Sequence, residues 1–479
     1  MSLLTEYRPD GTFGEMIDAG QVRDHYRLLA DRLAQFTAED IRQRMQLTES
    51  TFRNLGITFA VYGSEGGVDR TWPIDLIPRI ISASDWAIIE SGLIQRTRAL
   101  NAFLEDIYVG EHAIVQDGVI PEWLIKSSDG FKRQAFGINV RWGARCVVAG
   151  IDIVRDGNGV YRVLEDNLRV PSGISYVIEN RAAMKRAFPD LLDTYAVRSV
   201  DDYGSMLLRA LKWQAPYGPV DPTVVVLTPG VYNSAYFEHA FLARRMGVEL
   251  VEGRDLVVDD HVVYLRTTRG PQRVDVIYRR IDDDFLDPAA FDRHSALGIP
   301  GLLSAIRAGN VAVANPIGNG VADDKAVYTY VPAMIEYYLG EQPILPNAQT
   351  FVMWDDDQRS WAFERMDELV FKPVAEAGGK GIVIGRTASD EDLEEVRALV
   401  ETDPRNYIAQ EIIELSTHPT FTGDNLAPRH IDLRPFVVSG ETIEVVPGGL
   451  TRVAMREGSL IVNSSQGGGS KDTWVLEPA

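Results

Sequence analysis

The chain has 479 residues, too many for one core of usual size, and points to roughly two to four domains. Lys and Arg total 48 against 69 Asp and Glu, a net charge of −21, which argues against a protein built to coat nucleic acid or an anionic membrane. One cysteine, Cys146, excludes a disulfide framework or a cysteine-based zinc site within one chain and reads as a buried, inert thiol.

The first residues are polar, without the apolar core of a signal peptide, and no apolar run approaches the roughly 20 residues of a membrane span, so a cytoplasmic protein is expected. The seven histidines form no His-x-x-x-His pair, which speaks against zinc.

Residues 1–120 read as mainly helical. Val22, Tyr26, Leu29, Ala30 and Leu33 predict a helix over 21–36. Thr37 and Asp40 then resemble a capping box. A short strand is expected at 58–62, weak alternation over 74–81, and a long helix from Ser84 to about Tyr108 with Trp86, Ile89, Leu93, Leu100 and Leu104 inward. This region carries no catalytic pattern of its own.

Within 121–215 the stretch 161–173 organises the chain. On a strand, Glu165 and Asn167 share a face, a carboxylate and an amide oxygen that form a hard-oxygen platform suited to Mg²⁺. Upstream, 150–154 is a short strand carrying Asp152, and Asp156-Gly157-Asn158-Gly159 reads as a hairpin turn. The hairpin would bring Asp152 beside Glu165 and Asn167. An edge strand facing water would show the same alternation.

Residues 216–320 change texture. The apolar strand 223–227 suggests burial in a parallel sheet, the turn 228–230 leads into a helix over 236–246, and strands follow at 248–251 and 274–278. Ligands of such open sheets sit beyond the carboxyl ends of the strands, which makes Tyr232, Asn233 and Ser234 substrate-contact candidates, or simply a helix cap.

In 321–415, Lys325 lies in the first turn of a helix predicted through Tyr338, where an acid would be favoured. Residues 369–373 form a strand bearing Lys372, and Gly378, Gly379 and Gly381 lie in a turn before the returning strand 382–384. Such a turn can lay backbone amides over phosphate oxygens, although glycines also serve ordinary hairpins and the P-loop spacing is absent. The strand 406–413 contains Gln410, Glu411 and Ile413. In 416–479, Arg434 and Arg452 interrupt apolar strands, which is costly unless each meets an anion. A strand is expected at 460–463, ending in Asn463; the glycine-rich run after it, ahead of Trp474-Val475-Leu476, reads as a flexible linker or, since it joins no two domains, as a loop over a site.

Taken together these pieces resemble the ATP-grasp fold, two α+β lobes that close on ATP and Mg²⁺. The phrases Leu-Glu-Asp-Asn-Leu-Arg-Val-Pro-Ser-Gly, Tyr-Asn-Ser-Ala-Tyr-Phe-Glu-His-Ala-Phe-Leu-Ala-Arg, Ala-Asp-Asp-Lys-Ala-Val-Tyr and Val-Asn-Ser-Ser-Gln-Gly-Gly-Gly-Ser-Lys-Asp-Thr-Trp-Val-Leu are similar to the circularly permuted ATP-grasp type 2 family. Its members often carry the label glutathionylspermidine synthase. Most ATP-grasp enzymes place the metal platform last, whereas here it precedes the phosphate loop.

The resemblance implies an α/β and α+β architecture: a helical 1–120, part of the ATP-grasp C-lobe in 121–215, an inserted α/β domain in 216–320, the N-lobe in 321–415 and the rest of the C-lobe in 416–479. It implies that Lys325 and Lys372 hold ATP phosphates under Gly378, Gly379 and Gly381. Gln410, Glu411 and the backbone to Ile413 would meet adenine. Asp152, Glu165 and Asn167 would bind Mg²⁺, Arg434 and Arg452 would stabilise the transferring phosphoryl group with help from Asn463, and Arg169 and Ser172 would lie near the acceptor carboxylate. The implied activity is ATP-dependent amide formation between an amine and a peptide or amino-acid-like acid. A non-catalytic ATP-binding module is the alternative.

Overall fold

Asp156 closes a hairpin by accepting hydrogen bonds from the backbone amides of Asn158 and Val160, both at 2.9 Å. Gly159 supplies the positive φ of 82° that the turn needs, and a Cβ there would strike Phe13. The strands so joined, Val148–Arg155 and Tyr161–Asn167, set Gly150 opposite Asn167 and Asp152 opposite Glu165. The computed structural model describes residues 3–4, 7–9, 11–18, 20–60, 69–216, 220–375, 381–463 and 467–478.

The other edge of this hairpin pairs antiparallel with Phe436–Ser439, which pairs in turn with Ile443–Val445. One four-stranded sheet is thus built from sequence segments nearly three hundred residues apart, as a permuted lobe requires. Isolated bridges extend the pairing from Ile153 to Leu433 and from Arg434 to Leu450.

A second antiparallel sheet runs in the order Thr350–Val352, Tyr407–Glu411, Leu369–Pro373 and Val383–Ile384. Met353, Leu369, Phe371, Val396, Val400 and Ala409 give it an apolar core separate from the main one. The helix Asp390–Thr402 behind it starts at a capping box between Ser389 and Asp392.

The small α/β unit is a fully parallel sheet ordered Ala312–Ala314, Val276–Arg279, Val224–Leu227 and Glu249–Val251, with helix Tyr236–Met246 against it. Val224–Leu227 is buried throughout, which accounts for its unbroken apolar run. The long helix Ala83–Tyr108 begins at Ser82, whose hydroxyl accepts from the Asp85 amide at 3.1 Å. Trp86, Ile89, Leu93, Leu100 and Leu104 bury its inner face in the main core.

Four elements differ from the sequence reading. Residues 21–36 are a short strand Gln21–Val22, a 3₁₀ turn and the helix Arg27–Leu33, because the Tyr26 hydroxyl accepts from the Ile80 amide at 2.7 Å and turns the chain. The helix expected through Tyr338 divides into Lys325–Tyr328 and Val331–Leu339, with Pro332 in the first turn of the second piece, where its missing N–H is tolerated. The weakly alternating 74–81 is a strand, Ile74–Ile81, buried almost throughout. Residues 460–463 form no strand, and the last strand runs instead from Gly469 to Val475, parallel to Ile74–Ile81.

Candidate functional site

The register of the platform hairpin puts Asp152 and Glu165 directly across from each other. Arg434 and Arg452 reach the same place from the neighbouring segments. Arg434 donates through Nε and Nη2 to the two oxygens of Asp152, at 2.5 and 2.7 Å, and Nη2 lies 3.8 Å from Glu165. Arg452 donates to Asp152 at 2.7 Å and grips Asp432 through Nε and Nη2. Burial pushes the Asp152 carboxyl up, but the two guanidiniums outweigh it and hold the group well below the usual carboxylate range. Burial raises the Asp432 carboxyl, against the pull of Arg452.

The helix Lys325–Tyr328 and the strand Leu369–Pro373 bring lysines to this centre. Lys325 Nζ lies 3.5 Å from Glu165 Oε2. Asp324 caps the short helix of Lys325 by accepting from the amides of Ala326 and Val327, which fixes the backbone beneath that lysine. Lys372 donates to Gln410 Oε1 at 2.6 Å, and Gln410 Nε2 donates to Thr350 at 3.0 Å. Loss of water pulls the Lys372 ammonium down to about 8; Glu165 and Asp152 oppose this and Lys325 reinforces it. Lysines 325 and 372, carboxylates 152 and 165, and arginines 434 and 452 therefore lie within one electrostatic neighbourhood.

Asp152, Glu165 and the Asn167 amide share one corner of the sheet and would offer oxygen donors to a divalent cation. The Asn167 Nδ2 is buried without a hydrogen-bond partner in the protein. Among the described residues no three His, Cys, Asp or Glu side chains cluster as a metal site. Two carboxylates and an amide, with no soft ligand, fit Mg²⁺ as a guest that keeps further oxygens from water or phosphate.

The other predicted residues have the following local surroundings. Ile413 borders an apolar cluster of Val154, Leu415, Ala454 and Val462, with Leu164 and Leu460 beside it. The Glu411 amide donates to the Gln349 carbonyl at 3.0 Å and anchors the strand end. Gly381 has a φ of 70°, while Gly378 and Gly379 lie outside the described residues. Asn463 accepts from the Gly468 amide at 3.1 Å through its carbonyl.

Arg169 donates to Asp323 at 2.8 Å and lines a cleft with Lys132, Asp282, Asp284, Gly320 and Asp324. The cleft opens beyond the carboxyl ends of Val276–Arg279 and Ala312–Ala314. Tyr232, fully exposed, and Asn233 and Ser234 occupy another loop at that end of the sheet and do not line the cleft. The Ser172 carbonyl accepts from Arg434 at 3.4 Å. Asp432 and Asp323 escaped the sequence reading as site residues. The signal for Asp432 was present, since it shares a strand face with Arg434 two residues on; for Asp323 there was none.

This arrangement, with a lysine-bearing antiparallel sheet facing a carboxylate platform, is that of an ATP-grasp protein. The chain matches the family described as circularly permuted ATP-grasp type 2 over residues 78–454 and belongs to it. It is 56% identical over 468 residues to an uncharacterized protein of Mycobacterium tuberculosis, covering 97% of this chain and 84% of that one. A Synechocystis protein is 52% identical, with 99% of both chains covered. A Frankia casuarinae protein named "Putative glutamate--cysteine ligase 2-2" is 46% identical over 99% of this chain, which spans 54% of its length. A glutathione synthetase-like effector from Globodera pallida shares the fold, with a TM-score of 0.54 at 12% identity, covering 92% of this chain and 98% of that one. Among the described residues no helix is long and apolar enough to cross a membrane.

Proposed function

We propose that the chain is an ATP- and Mg²⁺-dependent ligase that joins a carboxylate to an amine through an acyl phosphate. The observation that carries this reading is the meeting of Lys325 and Lys372 with Asp152, Glu165, Arg434 and Arg452 around one corner of the platform sheet. A carboxylate repels the γ-phosphate it must attack. Lys325 and Lys372 neutralise the triphosphate, and Arg434 and Arg452 face charge building on the transferring phosphoryl group. Mg²⁺ held by Asp152, Glu165 and Asn167 would lower the same repulsion. The apolar side chains of Ile413, Leu164 and Leu460 offer adenine a dry wall to lie on, beside the end of the strand Tyr407–Glu411.

The Arg169 cleft is the acceptor site in this reading. It holds Lys132 and Arg169 together with several aspartates, so it presents both signs of charge. That combination suits an amino-acid-like or peptide acid, with its carboxylate toward the cations and an ammonium toward the aspartates. The name carried by the Frankia relative agrees with an acid of that class. Incubation with ATP, Mg²⁺ and a panel of amino acids, dipeptides and amines is expected to release ADP and phosphate. AMP as the nucleotide product would overturn the ligase mechanism, and nucleotide binding without turnover on any pair would favour a non-catalytic module.

A further inference from the structure

The segment between Asn167 and the helix Ile174–Ala187 has no regular structure, yet the small parallel-sheet unit holds its backbone almost residue by residue. Asn315 Nδ2 donates to the Leu168 carbonyl at 2.6 Å. Asp323 accepts from the Leu168 amide at 2.5 Å. Glu238, wholly buried on helix Tyr236–Met246, accepts through one oxygen from the Gly173 amide at 2.7 Å, the Ser175 amide at 3.1 Å and the Ser175 hydroxyl at 2.9 Å. Its other oxygen accepts from Arg280 at 3.0 Å. Arg280, also buried, donates to the Pro171 carbonyl at 2.8 Å and to the Tyr278 hydroxyl at 3.1 Å.

Gly173 is the N-cap of the helix Ile174–Ala187 and has no side chain to cap it, so Glu238 supplies the cap from another part of the fold. Capping alone does not require Arg280 to reach Pro171. The next residue, Ser172, offers its carbonyl to Arg434, and Arg434 holds both oxygens of Asp152. A short chain of hydrogen bonds thus runs from the α/β unit, through 171–172, to the platform.

We propose that the buried Glu238–Arg280 pair is a positioning device for the metal platform, setting the 171–173 backbone and through it Arg434 and Asp152. The inference rests on the nucleotide reading above. Neither residue touches nucleotide or cation; both act through the loop. The pair accounts for the second half of the Tyr232–Arg244 phrase, whose first residues alone had a functional reading.

The test measures Mn²⁺ binding by electron paramagnetic resonance with the β,γ-imido analogue of ATP present, and analogue binding in EDTA by calorimetry, on the full chain. Arg280→Lys keeps a cation for Glu238 but cannot serve Pro171, Tyr278 and Glu238 together. Mn²⁺ affinity is expected to fall about 10-fold or more, as for losses behind a ligand shell, while analogue binding in EDTA and the melting temperature stay near wild type. Glu238→Gln keeps the cap but strands the Arg280 charge, so it should lower the melting temperature; at a temperature where the chain stays folded it should still weaken Mn²⁺ binding more than analogue binding in EDTA. Equal losses with and without metal, losses that track the melting temperature, or no loss would overturn the proposal and leave a structural pair. A wild-type chain that bound no analogue would overturn the nucleotide reading, and this inference with it.

Discussion

Arg434 grips both carboxylate oxygens of Asp152, at 2.5 and 2.7 Å, across 282 residues of sequence. A fork of this kind is strong because two charge-assisted hydrogen bonds run in parallel, and its partner Arg452 adds a third contact at 2.7 Å. Removing the charge of a buried carboxylate so held strands its cations. Asp152→Asn is therefore expected to lower the unfolding free energy by about 3 kcal/mol in urea titrations without ligand. Because the folded Asp152 titrates below its unfolded value, its stabilising contribution is present above about pH 4 and is lost as pH falls through the folded value. The variant should accordingly lose less stability than wild type on acidification below pH ~4.

Glu165 separates structure from function more cleanly. Its side chain is 28% exposed, and its cationic neighbours Lys325 and Arg434 stand at 3.5 and 3.8 Å, beyond close hydrogen-bond contact. Glu165→Gln should change stability by less than about 1 kcal/mol. Removing an anion beside the phosphates should tighten analogue binding in EDTA, while Mg²⁺-dependent turnover drops by about 100-fold or more. Calorimetry and ADP release read the two effects separately. A uniform weakening with and without metal would show that Glu165 only supports the fold.

Arg405 ties the end of the short helix Glu122–Lys126 to Asp324. It donates to Asp324 at 2.8 Å, to the Ser127 hydroxyl at 2.6 Å and to the Leu124 carbonyl at 3.1 Å, just ahead of the strand Tyr407–Glu411. Asp324 in turn caps the helix of Lys325. Arg405→Ala should leave the surrounding cores intact but loosen this junction. The expected result is faster amide exchange over 404–411 and around 324–328, with faster nucleotide release and a melting temperature lowered by loss of the cation facing the buried Asp324. Unchanged exchange at both places would make the contact a surface detail.

The platform was legible in the sequence because local chemistry fixes it: a turn of Asp156, Gly157, Asn158 and Gly159 sets the register, and alternation assigns the faces. The same alternation sends Asp166 the other way, where Arg96 holds it at 2.7 and 2.6 Å. The strand Gly469–Val475 was largely illegible because its buried residues are polar. Lys471 pairs with Asp75, and Asp472 accepts from Arg181 at 2.8 Å and from Trp474 at 2.6 Å. Hydrophobic periodicity cannot find a strand whose polar groups are satisfied by partners hundreds of residues away. Glu238, Arg280 and Asp323 were missed for the same reason, since each has meaning only through a distant segment.

Lys372 gives the site a pH dependence of definite sign. Partial loss of water lowers its ammonium to about 8, so near neutrality it is mostly charged but close to losing its proton. A triphosphate arriving beside it would favour the charged form and raise that value. Its contribution to nucleotide affinity is therefore complete below about 8 and is lost as pH rises through the raised, ligand-bound value. Binding near pH 8 should take up a proton, which appears in calorimetry as a heat that changes with the ionisation enthalpy of the buffer. Lys372→Arg keeps the charge at every accessible pH and should abolish both the alkaline loss and the proton uptake, while loss of the Gln410 contact geometry weakens binding at pH 7. Proton uptake that persisted in the arginine variant would assign the titration to another group.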